Sequence, residues 1–147
     1  MINLNGGLGR WAIGAVTLVA STAVAVGVSA APAQAAAPRC NAVAFIPYIH
    51  GGGGQLEVPV YRTSGSNSLL CVMSYGDRGD DVSQLQWTLN YCYGEGLSLD
   101  GDFGSRTKSA LIRAQKREGI GADGIYGPQT AQALRFPWIP YGGCRET

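Results

Sequence analysis

The sequence predicts a mainly α protein: a small three-helix bundle with two repeated loop-to-helix joints, preceded by a disulfide-tied extension that is irregular apart from a short strand. Three observations carry that expectation. Apolar residues recur at helical spacing from Asp80 onward. The stretch DGDFGSRTKSAL at residues 100–111 returns as DGIYGPQTAQAL at residues 123–134. Two of the four cysteines, Cys40 and Cys71, enclose a glycine- and serine-rich region ahead of the helices.

Residues 1–35 read as an export signal. Arg10 is their only charge, the run from Ala12 to Val28 is apolar or small, and Ala33 to Ala35 offer the small residues of a cleavage site. Cleavage after Ala35 is expected, with no membrane attachment afterwards. The remaining 112 residues carry ten basic and ten acidic side chains, because the total of eleven lysines and arginines loses Arg10. A chain without basic excess is poorly suited to neutralising phosphates, which argues against nucleic acid and anionic lipid as partners. A neutral or zwitterionic polymer fits better.

The next segment, residues 36–74, contains GGGG at Gly51 to Gly54 and TSGSNS at Thr63 to Ser68. Leu56, Val58 and Val60 alternate as in one short strand, and Pro59 confines it to a sheet edge. All four cysteines follow the export signal, and an even count in a small secreted chain implies disulfides. A helix over Val82 to Tyr93 would be about 17 Å long, which separates Cys71 from Cys92. Two pairings remain, and Cys40 with Cys71 and Cys92 with Cys144 is favoured because it staples each terminus to its nearest neighbour in sequence, each loop contributing roughly 4 kcal/mol on the chain-entropy account. No CxxC pair is present to suggest zinc.

Residues 75–136 form the expected helical domain. Val82, Leu85, Leu89, Cys92 and Tyr93 fall on one helical stripe, with Asp80 or Asp81 as cap and Gly94 and Gly96 as stop. A second helix runs from Ser105 to Glu118 with Thr107, Ala110, Leu111 and Ala114 inward, Lys116 and Arg117 in its last turn, and Gly119 beyond it. The third starts at Pro128 and ends near Leu134, before Pro137. Residues 137–147 are a tail tied down by Cys144.

In the repeat itself, Gly104 and Gly127 stand immediately before a helix. Asp100 and Asp123 suit Asx-turns closed by Gly101 and Gly124. Phe103 and Tyr126 enter the space between helices, and Thr107 and Thr130 are placed to hydrogen-bond the open first turns. Every shared residue thus has a backbone task, and none is a nucleophile beside a base.

YGDRGDDVSQLQWTLN, LDGDFGSRTKSALIRAQKREGI and ADGIYGPQTAQAL together resemble the three-helix peptidoglycan-binding domain that accompanies many bacterial cell-wall hydrolases. The resemblance spans about Tyr75 to Phe136 and includes the Leu85–Gln86 pair and Gln115. Ala114, where the family more often has a larger apolar residue, and the Cys92/Cys144 pair are departures. The resemblance implies non-catalytic recognition of peptidoglycan, through its glycan or its stem peptides, by a secreted, wall-associated monomer without metal or other cofactor.

The residues add a surface. Asp100, Asp102, Phe103, Gly104, Arg106, Thr107 and Tyr126 surround the joints, whose helix starts offer outward N–H groups to carboxylates. Trp87 and Tyr91, four apart on one helix, make an aromatic strip able to stack on sugar rings; the simpler expectation is that the extension covers them. No catalytic residue is assigned. His50 before GGGG lacks a GxSxG partner, and Asp102 has Ile125 as its counterpart, so no pair of glycosidase carboxylates repeats. Two rival readings are a small wall hydrolase using His50 and a secreted protein-interaction module using Trp87 and Tyr91.

Overall fold

Alternating burial along Gln55–Arg62 (β2) places Leu56, Val58 and Val60 against the helices, and this strand organises the molecule. The computed structural model describes residues 36–147; the export signal expected over residues 1–35 lies outside them. Ala42–Pro47 (β1) pairs antiparallel with β2 along its length, Ala42 opposite Val60 and Pro47 opposite Gln55. Asn67–Ser68 (β3) adds to the far end of β2. After the helices Asp80–Tyr93 (α1), Ser105–Arg117 (α2) and Pro128–Ala133 (α3), the chain returns as Arg135–Ile139 (β4), which pairs with Gln55 and Leu56, and Cys144–Glu146 (β5), which pairs with β4.

The expected mainly α three-helix bundle is therefore corrected. Five antiparallel strands and three helices make an α+β fold. One core runs through both layers: Leu56, Val58 and Val60 meet Val82, Leu85, Leu89, Leu111 and Phe136, all buried. Each such side chain contributes roughly 1.5–3 kcal/mol by leaving water. The residues expected to be an extension and a tail supply half of that core's scaffold.

Pro59 does not put β2 at an edge. Along the side away from β1, β4 covers only Gln55 and Leu56 and β3 only Tyr61 and Arg62. Pro59 sits in the gap between them, where no ladder asks it for an N–H. There α1 takes over, with the Gln84 side chain donating to the Glu57 carbonyl at 2.8 Å.

The helices fall close to their expected ranges. Gly79, not Asp80 or Asp81, is the N-cap of α1, and no side chain caps it. Asp80 and Asp81 occupy the first turn, where acidic charge suits the helix dipole. Desolvation raises the Asp81 pKa above the ordinary aspartate range. Gly94, at φ 73°, closes α1, its N–H bonded to the Asn90 carbonyl. Disulfides join Cys40 to Cys71, beside β1, and Cys92, on α1, to Cys144, on β5. No helix among the described residues is long and apolar enough to cross a membrane.

Candidate functional site

Each joint is organised by a buried glutamine from the preceding helix. The Gln86 amide nitrogen donates to the Asp100 carboxylate at 2.8 Å, the Asp102 carbonyl at 3.1 Å and the Thr107 hydroxyl at 3.2 Å, while its oxygen accepts from the Gly101 N–H at 3.0 Å. Gln115 repeats the pattern with the Asp123 carboxylate, the Ile125 carbonyl and the Thr130 hydroxyl, each at 3.0 Å, and with the Gly124 N–H at 2.9 Å. Both amides satisfy their hydrogen-bonding capacity inside the protein. The Asx-turns expected of the two aspartates are present, Asp100 accepting from the Asp102 N–H at 3.0 Å and Asp123 from the Ile125 N–H at 2.9 Å. Thr107 and Thr130 turn back to the Asp102 and Ile125 carbonyls instead of serving the first turn of a helix.

The organising role of the glutamines is what sequence reasoning missed. Gln86 lies 14 residues before Asp100, whereas Gln115 lies only 8 before Asp123. The unequal spacing hides them from a comparison of the repeated stretches alone. The signal is each glutamine's place on the inward face of the helix before the loop.

The first joint opens onto a surface groove of about 220 Å³ lined by Gln86, Leu97, Ser98, Asp100, Asp102 and residues 104–107. It runs into a second hollow that shares Leu97, Ser105 and Arg106 and reaches Arg113 and Glu95. The outer wall is residues 95–98, held where Asn90 both donates to the Leu97 carbonyl and accepts from its N–H, each at 2.8 Å. An ion pair between Arg113 and Glu95, with Nε at 2.9 Å, closes one end. Asp102 is occupied by Arg78 at 2.7 Å. The Asp102 N–H and the Gln86 amide hold the Asp100 carboxyl below the usual carboxylate range. Arg106 is exposed and makes no ion pair among the described residues. It stands in the first turn of α2, whose start has no side-chain cap. A guanidinium and uncapped amides in one groove are suited to a carboxylate.

The structure gathers Asp100, Asp102, Gly104, Arg106 and Thr107 around this groove. It does not bring Phe103 or Tyr126 there as contacts, because both rings are fully buried. They fill the core, as their place between helices predicts, and the expectation that they flank a ligand is corrected. Trp87 and Tyr91 stack at 5.8 Å between ring centres. Tyr91 remains 51% exposed, and its hydroxyl accepts from Gly143, so tail residues reach it. His50 lies far along the sheet side, edge-on to Tyr48. Among the described residues no cluster of histidine, cysteine, aspartate and glutamate is arranged to hold a metal ion.

Residues 78–134 match a family described as "Putative peptidoglycan binding domain". A probable N-acetylmuramoyl-L-alanine amidase of Bacillus licheniformis is 40% identical over 78 residues, half of this chain and 21% of the relative. The zinc D-Ala-D-Ala carboxypeptidase of Streptomyces albus G is 36% identical over 118 residues, 78% of this chain and 42% of the relative. An uncharacterized protein in the bpoA1 3'region of Kitasatospora aureofaciens is 32% identical over 107 residues, 67% of this chain and 91% of the relative. The chain thus spans well under half the length of the first two.

Proposed function

We propose a function from one premise: the chain belongs to the putative peptidoglycan-binding domain family, whose module it carries at residues 78–134. It is a non-catalytic module that attaches to bacterial cell-wall peptidoglycan after export. The groove beside the first joint takes a carboxylate of the wall polymer, from a lactyl group or a stem peptide. Arg106 supplies the charge, and the first turn of α2 supplies N–H donors. Asp100 and Asp102 set the joint's shape, and the Trp87–Tyr91 strip makes a neighbouring contact with sugar rings. The observation that carries this reading is the unpaired Arg106 beside the uncapped start of α2 in a groove. One shallow site of this kind binds at about micromolar to millimolar Kd, and the density of repeated ligands on the wall gives retention.

Co-sedimentation of the oxidised protein with purified sacculi tests the proposal. The wild type is expected to sediment without releasing soluble muropeptides. Arg106→Ala should weaken sedimentation about tenfold and leave thermal stability unchanged, since the side chain is exposed. A wild type that stays in solution at high wall excess would overturn the reading in favour of a protein-interaction module.

A further inference from the structure

The GGGG run and the tail, which the groove at the first joint leaves unused, meet on the sheet side of the molecule. Four rings form a row there. His50 and Tyr48 stand 5.6 Å apart between ring centres, Tyr48 and Trp138 5.7 Å, and Trp138 and Tyr141 4.8 Å. We infer that this row is a second binding surface, one that stacks on the glycan strand of the wall polymer independently of its carboxylates. The inference rests on the wall-binding reading for its choice of polymer.

The row is built and held. Trp138 donates its indole N–H to the Gly53 carbonyl at 2.8 Å. A side chain at Gly54 would lie 2.6 Å from that indole nitrogen and 3.0 Å from the Tyr141 ring, and one at Gly52 would press on the indole edge at 3.2 Å. Gly52 and Gly54 therefore let the backbone lie flush against the aromatics; a side chain at either would press on the rings, whereas one at Gly51 or Gly53 would not. Residues Gly51 to Gly54 all carry positive φ, which fixes the loop's path under the rings. The Arg145 guanidinium lies 4.6 Å from the Trp138 ring centre, completing the clamp.

The row is open at its two ends, His50 and Tyr141, while Tyr48 and Trp138 between them are half-buried against the core. Tyr141 is 61% exposed, and Ile49, between Tyr48 and His50 in sequence, is 82% exposed. Aromatic surface left in water beside rigid supports marks a contact site. Its polar surroundings select the partner. A hollow of about 410 Å³ next to the row is lined by Tyr48, His50, Arg145 and Glu146 among others, so it presents donors and an acceptor together. Sugar hydroxyl and acetamido groups need both, whereas a lipid phosphate needs donors only. The rings are set at 40–62° to one another, so a sugar chain would meet them one ring at a time and not as a single flat platform.

The test uses the full oxidised chain with two probes: a tetramer of N-acetylglucosamine, and wall glycan strands stripped of stem peptides. Titration is followed by tryptophan fluorescence and by the NMR signal of the Trp138 indole N–H. The tetramer should shift that signal, and Tyr141→Ala should weaken its binding about tenfold, with Tyr141→Phe close to wild type. Arg106→Ala should bind tetramer and stripped glycan normally while its sedimentation with intact sacculi weakens about tenfold. If the wild type sediments with sacculi but the tetramer leaves the Trp138 signal unmoved, the inference falls and the groove reading survives; if neither binds, the wall reading falls with it. Binding to phospholipid vesicles, or a dimer that Tyr141→Ala dissociates, in place of tetramer binding would also overturn it.

Discussion

At the first joint Gln86 binds Asp100, Asp102, Thr107 and Gly101; at the second, Gln115 binds Asp123, Ile125, Thr130 and Gly124 by the same atoms. Around these matching centres the two corners diverge. The first launches thirteen helical residues, carries a groove, and pairs Asp102 with Arg78. The second launches six, and its Tyr126 exchanges backbone hydrogen bonds of 2.8 and 2.9 Å with the one residue Met73, where Phe103 divides its two between Asp77 and Gly76. Where the first has the buried Phe103, the second has a buried tyrosine whose hydroxyl finds no partner among the described residues, and burial raises its pKa. One device therefore serves two tasks, exposing a surface at one corner and closing the core at the other.

The largest effects should come from the shared part. Gln86→Leu and Gln115→Leu each strand a buried glycine N–H and take a donor from the Asx-turn carboxylate, and each is expected to cost about 3 kcal/mol in urea unfolding. A difference of more than about 1 kcal/mol between them would break the equivalence of the corners. The glycines should separate them further. Both need positive φ, but a methyl at Gly101 meets the Gly79 carbonyl oxygen at 2.9 Å, while one at Gly124 meets only side chains, Lys108 Cγ at 2.8 Å and Ile112 Cγ1 at 3.0 Å. Gly101→Ala is expected to cost about 3 kcal/mol and Gly124→Ala about half that, measured the same way. The smallest effect is the exchange of ring chemistry. Tyr126→Phe, which makes the second corner like the first, should stabilise by about 1 kcal/mol because it removes an unpartnered buried hydroxyl. Destabilisation in calorimetry would mean that the hydroxyl has a partner.

Helices and joints were legible because their determinants are local. Gly94, Gly104, Pro128 and the apolar stripe of α1 act over a few residues, and the two copies of the loop check each other. Of the sheet only β2 was legible, from the alternation of Leu56, Val58 and Val60, and its pairing was not, for the opposite reason. Leu56 pairs with Trp138, more than eighty residues away, and no local pattern announces that contact. Pro137 reads as a helix stop and Pro59 as an edge marker, yet both lie in strands, Pro59 where the ladder lapses. β3 and β5 are too short to show a period. At the site, Asp100, Asp102, Gly104, Arg106 and Thr107 could be named from the repeat. Phe103 and Tyr126 were drawn two ways, and burial decides for the core. The aromatic row joins residues 48–50 to residues 138–141, so it emerges only once the tail has folded back.

The 14 and 8 residues that separate each glutamine from its aspartate show that the corner tolerates different lengths of intervening chain. At the first corner the surplus is the span that carries Glu95, Leu97 and Ser98, the outer bank of the groove. On the proposed reading of the groove, this strip can lengthen, shorten or change its side chains and so reshape the bank that faces the polymer, while Arg106 on α2 and the amide that locks the corner stay where they are.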